Sequence, residues 1–355
     1  MHSISLAQLI SQLADKRNLS AEHAQMAAAL LAQAEVDFDD KYEFLLRLAE
    51  KGVSVEELAA IATYFRSCAI DPGVDAWAER AIDVCGTGGD NAGTFNISTA
   101  VSFVVAACGV PVFKHGNRSI TSKCGSADLL QALGFPLTVS GEVIQATLAQ
   151  FNYAFFFAPD FHPAFKEVMP VRRALAEAGK RTVFNLLGPM INPGKPAFQL
   201  MGVFDRQWLQ PLAASMDAMG SRGGWIVHGQ PEPERVLDEL SCAGRNYAYA
   251  YGEQGMGPVD IQLLELGLEP SDLSQLLGGD AGHNGKLLLD LLSPNSKLAT
   301  QGLRASVWLN AGAALLVAGK VQSHQEGIEL AKAAIASGQV SDWLHNIRTF
   351  YKSII

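Results

Sequence analysis

Residues 4 to 70 carry apolar side chains three and four positions apart, with polar residues between them. SLAQLISQLADK, SAEHAQMAAALLAQA, DDKYEFLLRLAEKG and SVEELAAIATYFRSC each fit that spacing and predict a helix. They open on Ser or Asp and one closes on Gly52, as helix boundaries do. Acids in the first turns of SAEH and SVEE suit the positive end of the helix dipole. This opening reads as a packed helical module with nothing catalytic in it. DPGVDAWAER reads as a loop that leads out of it.

The pattern changes at Ile82. Short apolar runs of strand length (AIDV, VPVF, YAFFFAP, FQLMGVF, GGWIVHG) now alternate with helical runs. The helical runs are AVSFVVAACG closed by Gly109, LLQALGF, GEVIQATLAQFN, FKEVMPVRRALAEAG with Pro170 near its start, and WLQPLAASMDAMG. RTVFNLLGPMINP is either a strand or a short helix, broken by Gly188, Pro189 and Pro193. LRASVWLNAGAALLVAGK and the segment from His324 to Lys352 are helical again. Strand and helix in alternation predict an α/β fold with a mainly parallel sheet covered by helices.

Composition narrows the class only a little. The chain has 355 residues, room for one large domain or for a large one with a small companion. A formal net charge of −9 disfavours general nucleic-acid binding. The cations are nonetheless concentrated. Lys114, Arg118 and Lys123 lie close together, and five cations stand against two acids from Lys166 to Arg181. An acidic protein with two cationic segments suggests a small anionic ligand. The five cysteines form no CxxC pair and read as reduced thiols of a cytoplasmic protein, small fillers beside turns rather than nucleophiles. No signal-peptide layout and no membrane-spanning apolar run is present.

The candidate chemistry lies between Cys85 and Asp128. After the strand AIDV, Gly86, Gly88 and Gly89 allow a tight turn where backbone can approach a ligand. Asn96, Ser98 and Thr99 stand where the next helix begins, and unpaired N–H groups at a helix start suit an anion. KHGNRSITSKCGSAD makes a second such turn after VPVF. Two common phosphate motifs fail. The spacing of Gly88 and Gly93 matches a Walker loop, but Thr94 follows instead of Lys, and Asn91 stands where a dinucleotide fingerprint needs its third glycine. Two strand-to-helix turns nevertheless bring amides, hydroxyls and cations to one end of a sheet, where ligands sit in open α/β folds. Asp238 and Glu239 in VLDELS read by themselves as a solvated acidic pair. On a strand they would face opposite sides, so they share a site only from a loop or a helix start.

GTGGD, NIST, KHGNR and KCGSAD, with PVRRAL, RTVFNLLGPMINP, LDELS and NAGAALLVAGK, together resemble the anthranilate phosphoribosyltransferase family. The resemblance runs from about Ile82 onward and more weakly through the helical N-terminus. It implies a small helical domain formed by residues 1–78 with part of 163–184, mediating a homodimer. Residues 79–162 and 185–355 would form the large α/β domain. It implies transfer of phosphoribose from 5-phosphoribosyl 1-pyrophosphate to anthranilate, a step of tryptophan biosynthesis. The positions matching the family's donor contacts are Gly86, Gly89, Asp90, Thr94, Asn96, Ile97, Ser98, Thr99, Lys114, His115, Gly116, Asn117, Arg118, Ser119, Ile120, Thr121, Ser122 and Ser126. Gly86, Asn117 and Arg172 match its anthranilate contacts, and Ser98, Asp238 and Glu239 its magnesium (Mg2+) contacts. No covalent nucleophile is implied, and His115 is a candidate to assist proton transfer or to make a structural hydrogen bond. The chain departs from the family in the longer AEAGKRT after VRRAL, in extra residues within HGQPEPERVLDE, and at Thr121 and Cys124, where serines are common. Alternatives on the same architecture are a phosphoribosyltransferase with another aromatic acceptor, a pyrimidine nucleoside phosphorylase, or a non-catalytic nucleic-acid-binding paralogue.

Overall fold

The computed structural model describes residues 4–119 and 123–354. Four helices open the chain: α1 (Leu6–Ala14), α2 (Ala21–Leu31), α3 (Phe38–Lys51) and α4 (Val55–Ser67). Ser5, Ser20 and Ser54 cap three of them by accepting a hydrogen bond from the first-turn amide three residues on. Gln8 and Glu57 reach back to close two capping boxes. The connecting loop expected next contains a single helical turn, α5 (Asp75–Ala78).

The sheet begins with β1 (Ile82–Gly86), followed by α6 (Ile97–Ala107), β2 (Val112–Gly116), α7 (Ser126–Ala132), α8 (Gly141–Phe151) and β3 (Tyr153–Phe157). After α9 (Ala158–Phe161), FKEVMPVRRALAEAG is not one helix. A 3-10 turn at Pro163–Glu167 precedes α10 (Met169–Glu177), and Pro170 sits in the first turn of α10. A proline is tolerated there because a first-turn amide has no intrahelical partner to lose. RTVFNLLGPMINP resolves as helix α11 (Phe184–Met190). Then come β4 (Phe198–Gly202), α12 (Leu209–Ala218), β5 (Gly223–Glu232), β6 (Arg235–Leu237), β7 (Arg245–Gly252) and β8 (Gly257–Val259). Four helices close the chain: α13 (Ala281–Leu291), α14 (Gln301–Val317), α15 (His324–Ala336) and α16 (Gln339–Ile354).

The strand order is β3-β2-β1-β4-β5-β7-β8, with β6 paired to β5. The five strands from β3 to β5 are parallel, while β6, β7 and β8 are antiparallel additions that the hydrophobic pattern did not predict. The sheet is apolar on both faces. Phe198 and Leu200 pack with α6 and the C-terminal helices, while Met201 and Val203 pack with the N-terminal helices, α10, α11 and α12. Side chains that alternate along a strand thus feed two separate cores. Two parallel strands leave the centre in opposite directions, since β1 leads on to β2 and β3 on one side while β4 leads to β5 on the other. That divergence opens a crevice at the carboxyl ends of β1 and β4. No helix among the described residues is long and apolar enough to cross a membrane.

Candidate active site

The crevice is built from the ends of β1, β2 and β4. Past Gly86 the first loop turns through Gly88 and Gly89, whose φ angles of 71° and 83° are strained for any residue with a Cβ. Its far end is pinned from outside the sheet. Phe95 N donates to Leu276 O at 2.8 Å, and Gly278 N donates to Gly93 O at 3.0 Å. Helix α6 then starts at Ile97 with Asn96 in the capping position, but the Asn96 side chain makes no capping hydrogen bond. Of the first-turn amides, Ile97 N donates to Phe95 O at 2.7 Å and Thr99 N to Asn96 O at 3.1 Å, which leaves Ser98 N without a partner from the cap. Thr99 is fully buried and its hydroxyl lacks a partner.

Lys114, on β2, is buried beneath this helix start. Its Nζ donates to Val84 O at 2.5 Å and to Ser98 Oγ at 3.1 Å. Burial lowers its pKa, while Asp83 opposes that shift. Asp83 is itself wholly buried and pushed up to about 6 by desolvation. It accepts from Asn192 Nδ2 at 2.9 Å, which ties β1 to the segment that follows α11. Gly116, Asn117, Arg118 and Ser119 continue the second loop. Asp128 staples it by accepting from Ser119 N at 3.1 Å and Gly125 N at 2.9 Å and by pairing with Arg118 at 3.0 Å. Asn117 O accepts from Ser126 Oγ at 3.4 Å. Ile120, Thr121 and Ser122 lie outside the described residues.

Asp238 and Glu239 follow β6 in a bend, the loop placement that lets adjacent acids share a site. Asp238 Oδ2 accepts from Gly88 N at 2.6 Å, and Thr94 Oγ1 donates to Glu239 Oε1 at 3.4 Å. Burial first, then the neighbouring Asp90 carboxylate, raises Asp238 to about 7. Burial, then Asp238 and Asp90, raises Glu239 well above the usual carboxylate range. Three carboxylates at one loop repel one another, and a hard divalent cation would relieve that repulsion. Among the described residues, no three His, Cys, Asp or Glu side chains stand as a metal cage, so such an ion would need oxygens from a ligand as well. The extra residues of HGQPEPERVLDE lengthen the β5–β6 hairpin, with Glu232 opposite Arg235.

Arg172 lies on α10. Its guanidinium carbon is 5.7 Å from the centre of the Phe165 ring and 5.3 Å from that of Phe184. Its polar contacts, to Met169 Sδ and Phe184 O, are long at 3.5 Å. A half-buried cation on aromatic rings suits a planar acid. Arg181, in the longer AEAGKRT segment, donates to Gly89 O at 2.9 Å and stacks over Phe204 at 4.0 Å. The extra length thus ends on the first loop.

His115 joins the two halves. Its Nδ1 lies 3.2 Å from Gly188 O, and its Nε2 lies 3.1 Å from Nε2 of His162. Since Gly188 O can only accept, His115 Nδ1 carries the proton. His115 Nε2 then accepts from His162 Nε2, so both rings are neutral. Burial agrees, holding His115 down to about 3 and His162 down to about 4. His162 also packs against Phe165. His115 is thus held in a hydrogen-bonded pair. The unfolded His162 takes up a proton near pH 6.5 and the folded one near 4. Its stabilising contribution is therefore complete above pH 6.5 and disappears as pH falls toward 4, a difference of about 3 kcal/mol. Urea unfolding of the protein and of His162→Gln from pH 7.5 to 4 should show the stability gap shrinking with acid, and parallel curves would refute the assignment.

Sequence reasoning missed Asp83, Asn192, His162 and Asn284. Only Asp83 had a local signal, as the one charge inside an apolar strand.

Residues 78–341 match the family model described as "Glycosyl transferase family, a/b domain". The chain is 40% identical over 332 residues to an anthranilate phosphoribosyltransferase of Chelativorans sp. (strain BNC1), covering 93% of each chain. It superposes on the crystal structure of anthranilate phosphoribosyltransferase from Thermus thermophilus with a TM-score of 0.86 at 36% identity, covering 97% of this chain and 99% of that one. The Saccharomyces cerevisiae enzyme in complex with PRPP and Mg shares the fold, with a TM-score of 0.82 at 23% identity over 99% and 100% of the two chains. With a family model spanning most of its length and relatives this similar from end to end, the chain belongs to the anthranilate phosphoribosyltransferase family.

Proposed function

We propose that this chain transfers the phosphoribosyl group of 5-phosphoribosyl 1-pyrophosphate to the amino group of anthranilate, releasing pyrophosphate. One observation carries the reading: Lys114 Nζ, from the strand that leads into the second loop, bonds both to Val84 O in β1 and to Ser98 at the start of α6, so one buried cation ties that strand to the elements on either side of the first loop. In this reading the first-turn amides of α6, Ser98 and Lys114 receive the donor's phosphates. Gly86, Gly89, Asp90 and Thr94 line one side, and Gly116, Asn117, Arg118, Ser119 and Ser126 the other. The sugar carbon gains cationic character as its bond to pyrophosphate breaks, by analogy with glycoside cleavage. The protein has to hold the polyanion and align the amine, and it needs no nucleophile of its own.

Ser98, Asp238 and Glu239 would hold Mg2+ together with donor oxygens, and the bound ion would neutralise charge on the departing pyrophosphate. Arg172 fixes the anthranilate carboxylate and leaves the amine facing the sugar. An arylamine is largely neutral near pH 7, so it needs no strong base to act as the nucleophile. The helical module, residues 1–78 with part of 163–184, forms a homodimer interface in this reading, and its position relative to residues 79–162 and 185–355 sets the distance from Arg172 to the donor. The cysteine usage suits the cytoplasm.

Incubation with donor, Mg2+ and anthranilate should quench anthranilate fluorescence. No quenching at saturating substrates, or phosphorolysis of uridine instead, would overturn the proposal. Arg172→Ala should raise KM for anthranilate roughly 10- to 100-fold, the worth of a charged hydrogen bond, with KM for the donor nearly unchanged. Equal effects on both constants would remove Arg172 from the acceptor site.

A further inference from the structure

Asn96 occupies the capping position of α6, and an asparagine there normally turns its side chain onto a first-turn amide. Here it does not. Its Nδ2 donates to Cys124 O in the second loop at 2.9 Å, and its Oδ1 accepts from Nδ2 of Asn284 at 2.9 Å. Asn284 lies on α13, 188 positions away in sequence, and is 1% exposed. Its own Oδ1 accepts from Gly279 N at 2.7 Å, which fixes the orientation of its amide. That leaves Nδ2 as the group facing Asn96. Gly279 follows Leu277 and Gly278, the residues that bridge to Thr94 and Gly93 in the first loop. Asn284 thus touches Asn96, whose side chain spans both loops, also hydrogen-bonds the Cys124 thiol in the second loop, and holds the strap that pins the first.

We propose that Asn284 is a positioning residue for donor binding: by engaging Asn96 Oδ1 it draws that side chain away from α6, keeps the Ser98 amide uncapped for a phosphate, and sets the spacing between the two loops. The Asn96 side chain then acts as a tie between the loops, while the donor is met by backbone. Without Asn284, Asn96 Oδ1 has lost its partner and is free to cap the N–H of Ser98, the first-turn amide with no backbone partner. Asn96 then competes with the phosphate. The effect falls mainly on the donor, because Arg172, which fixes the acceptor's carboxylate, and the Phe165 and Phe184 rings lie on other elements, and only Gly86 and Asn117 of the acceptor contacts lie in the two loops. This inference rests on the proposed placement of the donor at α6.

The test is steady-state kinetics on Asn284→Ala, the near-isosteric Asn284→Leu, Asn96→Ala, the Asn96→Ala/Asn284→Ala double variant and Lys114→Ala, each checked for folding by its melting temperature. Losing one buried hydrogen bond and gaining a competing cap should raise KM for 5-phosphoribosyl 1-pyrophosphate about tenfold in the Asn284 variants, with KM for anthranilate within about twofold. In the Asn96→Ala background, Asn284→Ala should add less than about a twofold change, because Asn284 acts through Asn96. Three results would overturn the proposal: an unchanged donor KM in a folded Asn284 variant whose Lys114→Ala counterpart is impaired, parallel rises in both KM values, or a full additional effect on top of Asn96→Ala. Should neither Asn284 variant fold, Asn96→Ala decides, since an unchanged donor KM there removes the tie. If Lys114→Ala also leaves donor KM untouched, the donor does not bind at α6, and the placement fails along with the inference.

Discussion

Replacing Asp238 and Glu239 together by alanine is expected to abolish Mg2+-dependent turnover, a loss of roughly a thousandfold or more, while the melting temperature stays level or rises. The first half follows from the chemistry. The departing pyrophosphate develops charge in the transition state, and removing a preorganised stabilising contact at such a position costs about 100- to 1000-fold for each contact. The second half follows from the electrostatics of the folded chain. Both carboxylates are held above their ordinary pKa by burial and by the acids beside them, so at neutral pH the ionised forms are a burden on the fold. Truncation removes that repulsion. The bond from Gly88 N that is lost lies at an exposed position where water can replace it. Turnover across a Mg2+ titration, with melting measured on the same samples, reads both halves. A retained rate would take the acids out of the mechanism, and a collapsed fold would make them structural.

The same tension between local stability and function decides which parts of the chain could be foreseen. The helices at the N-terminus declare themselves because spacing and serine caps agree, and the parallel strands because each is short, apolar and followed by a helical run. The antiparallel strand β7 had a signal of its own that the βαβ rhythm overrode. RNYAYAYG alternates large and small, and Tyr247 and Tyr249 do pack into one core while Ala248 and Ala250 pack into the other. The extent of α10 was misjudged because the apolar pattern runs straight through Pro170 and cannot mark where the 3-10 turn stops. At the site, residues with short-range company were legible. Gly86 to Thr99 and Lys114 to Ser126 each sit in one stretch. Partners supplied from afar were not: Asn284 for Asn96, Asn192 for Asp83 and His162 for His115 are side-chain pairs separated by 47 to 188 positions. A single sequence records no such pairing. Only the buried cost of leaving these groups unpaired requires it.

Gly202→Ala is expected to cost function through the same acids, and to cost stability too. Gly86 and Gly202 end the adjacent parallel strands β1 and β4 in register, and the loop carrying Asp238 crosses directly over them. A methyl group on Gly202 would fall inside the backbone carbonyl of Asp238. Neither strand can yield without breaking the pairing of β4 to both its neighbours, so the Asp238 segment must lift. Overpacking of this kind costs about 1–3 kcal/mol, and more where backbone meets backbone. Lifting also carries both carboxylates away from Gly88 and Thr94, so turnover should fall by about 100-fold or more even in the fraction that folds. Gly86→Ala separates the two contributions. Its methyl would meet the carboxylate end of Asp238 first, a group able to rotate, so its melting temperature should fall less than that of Gly202→Ala while turnover falls by a similar factor. Melting and turnover of the two variants, measured side by side, test whether Asp238 needs a notch made of two glycines. Near-normal turnover in Gly202→Ala would mean that the crossing loop has room the structure denies it.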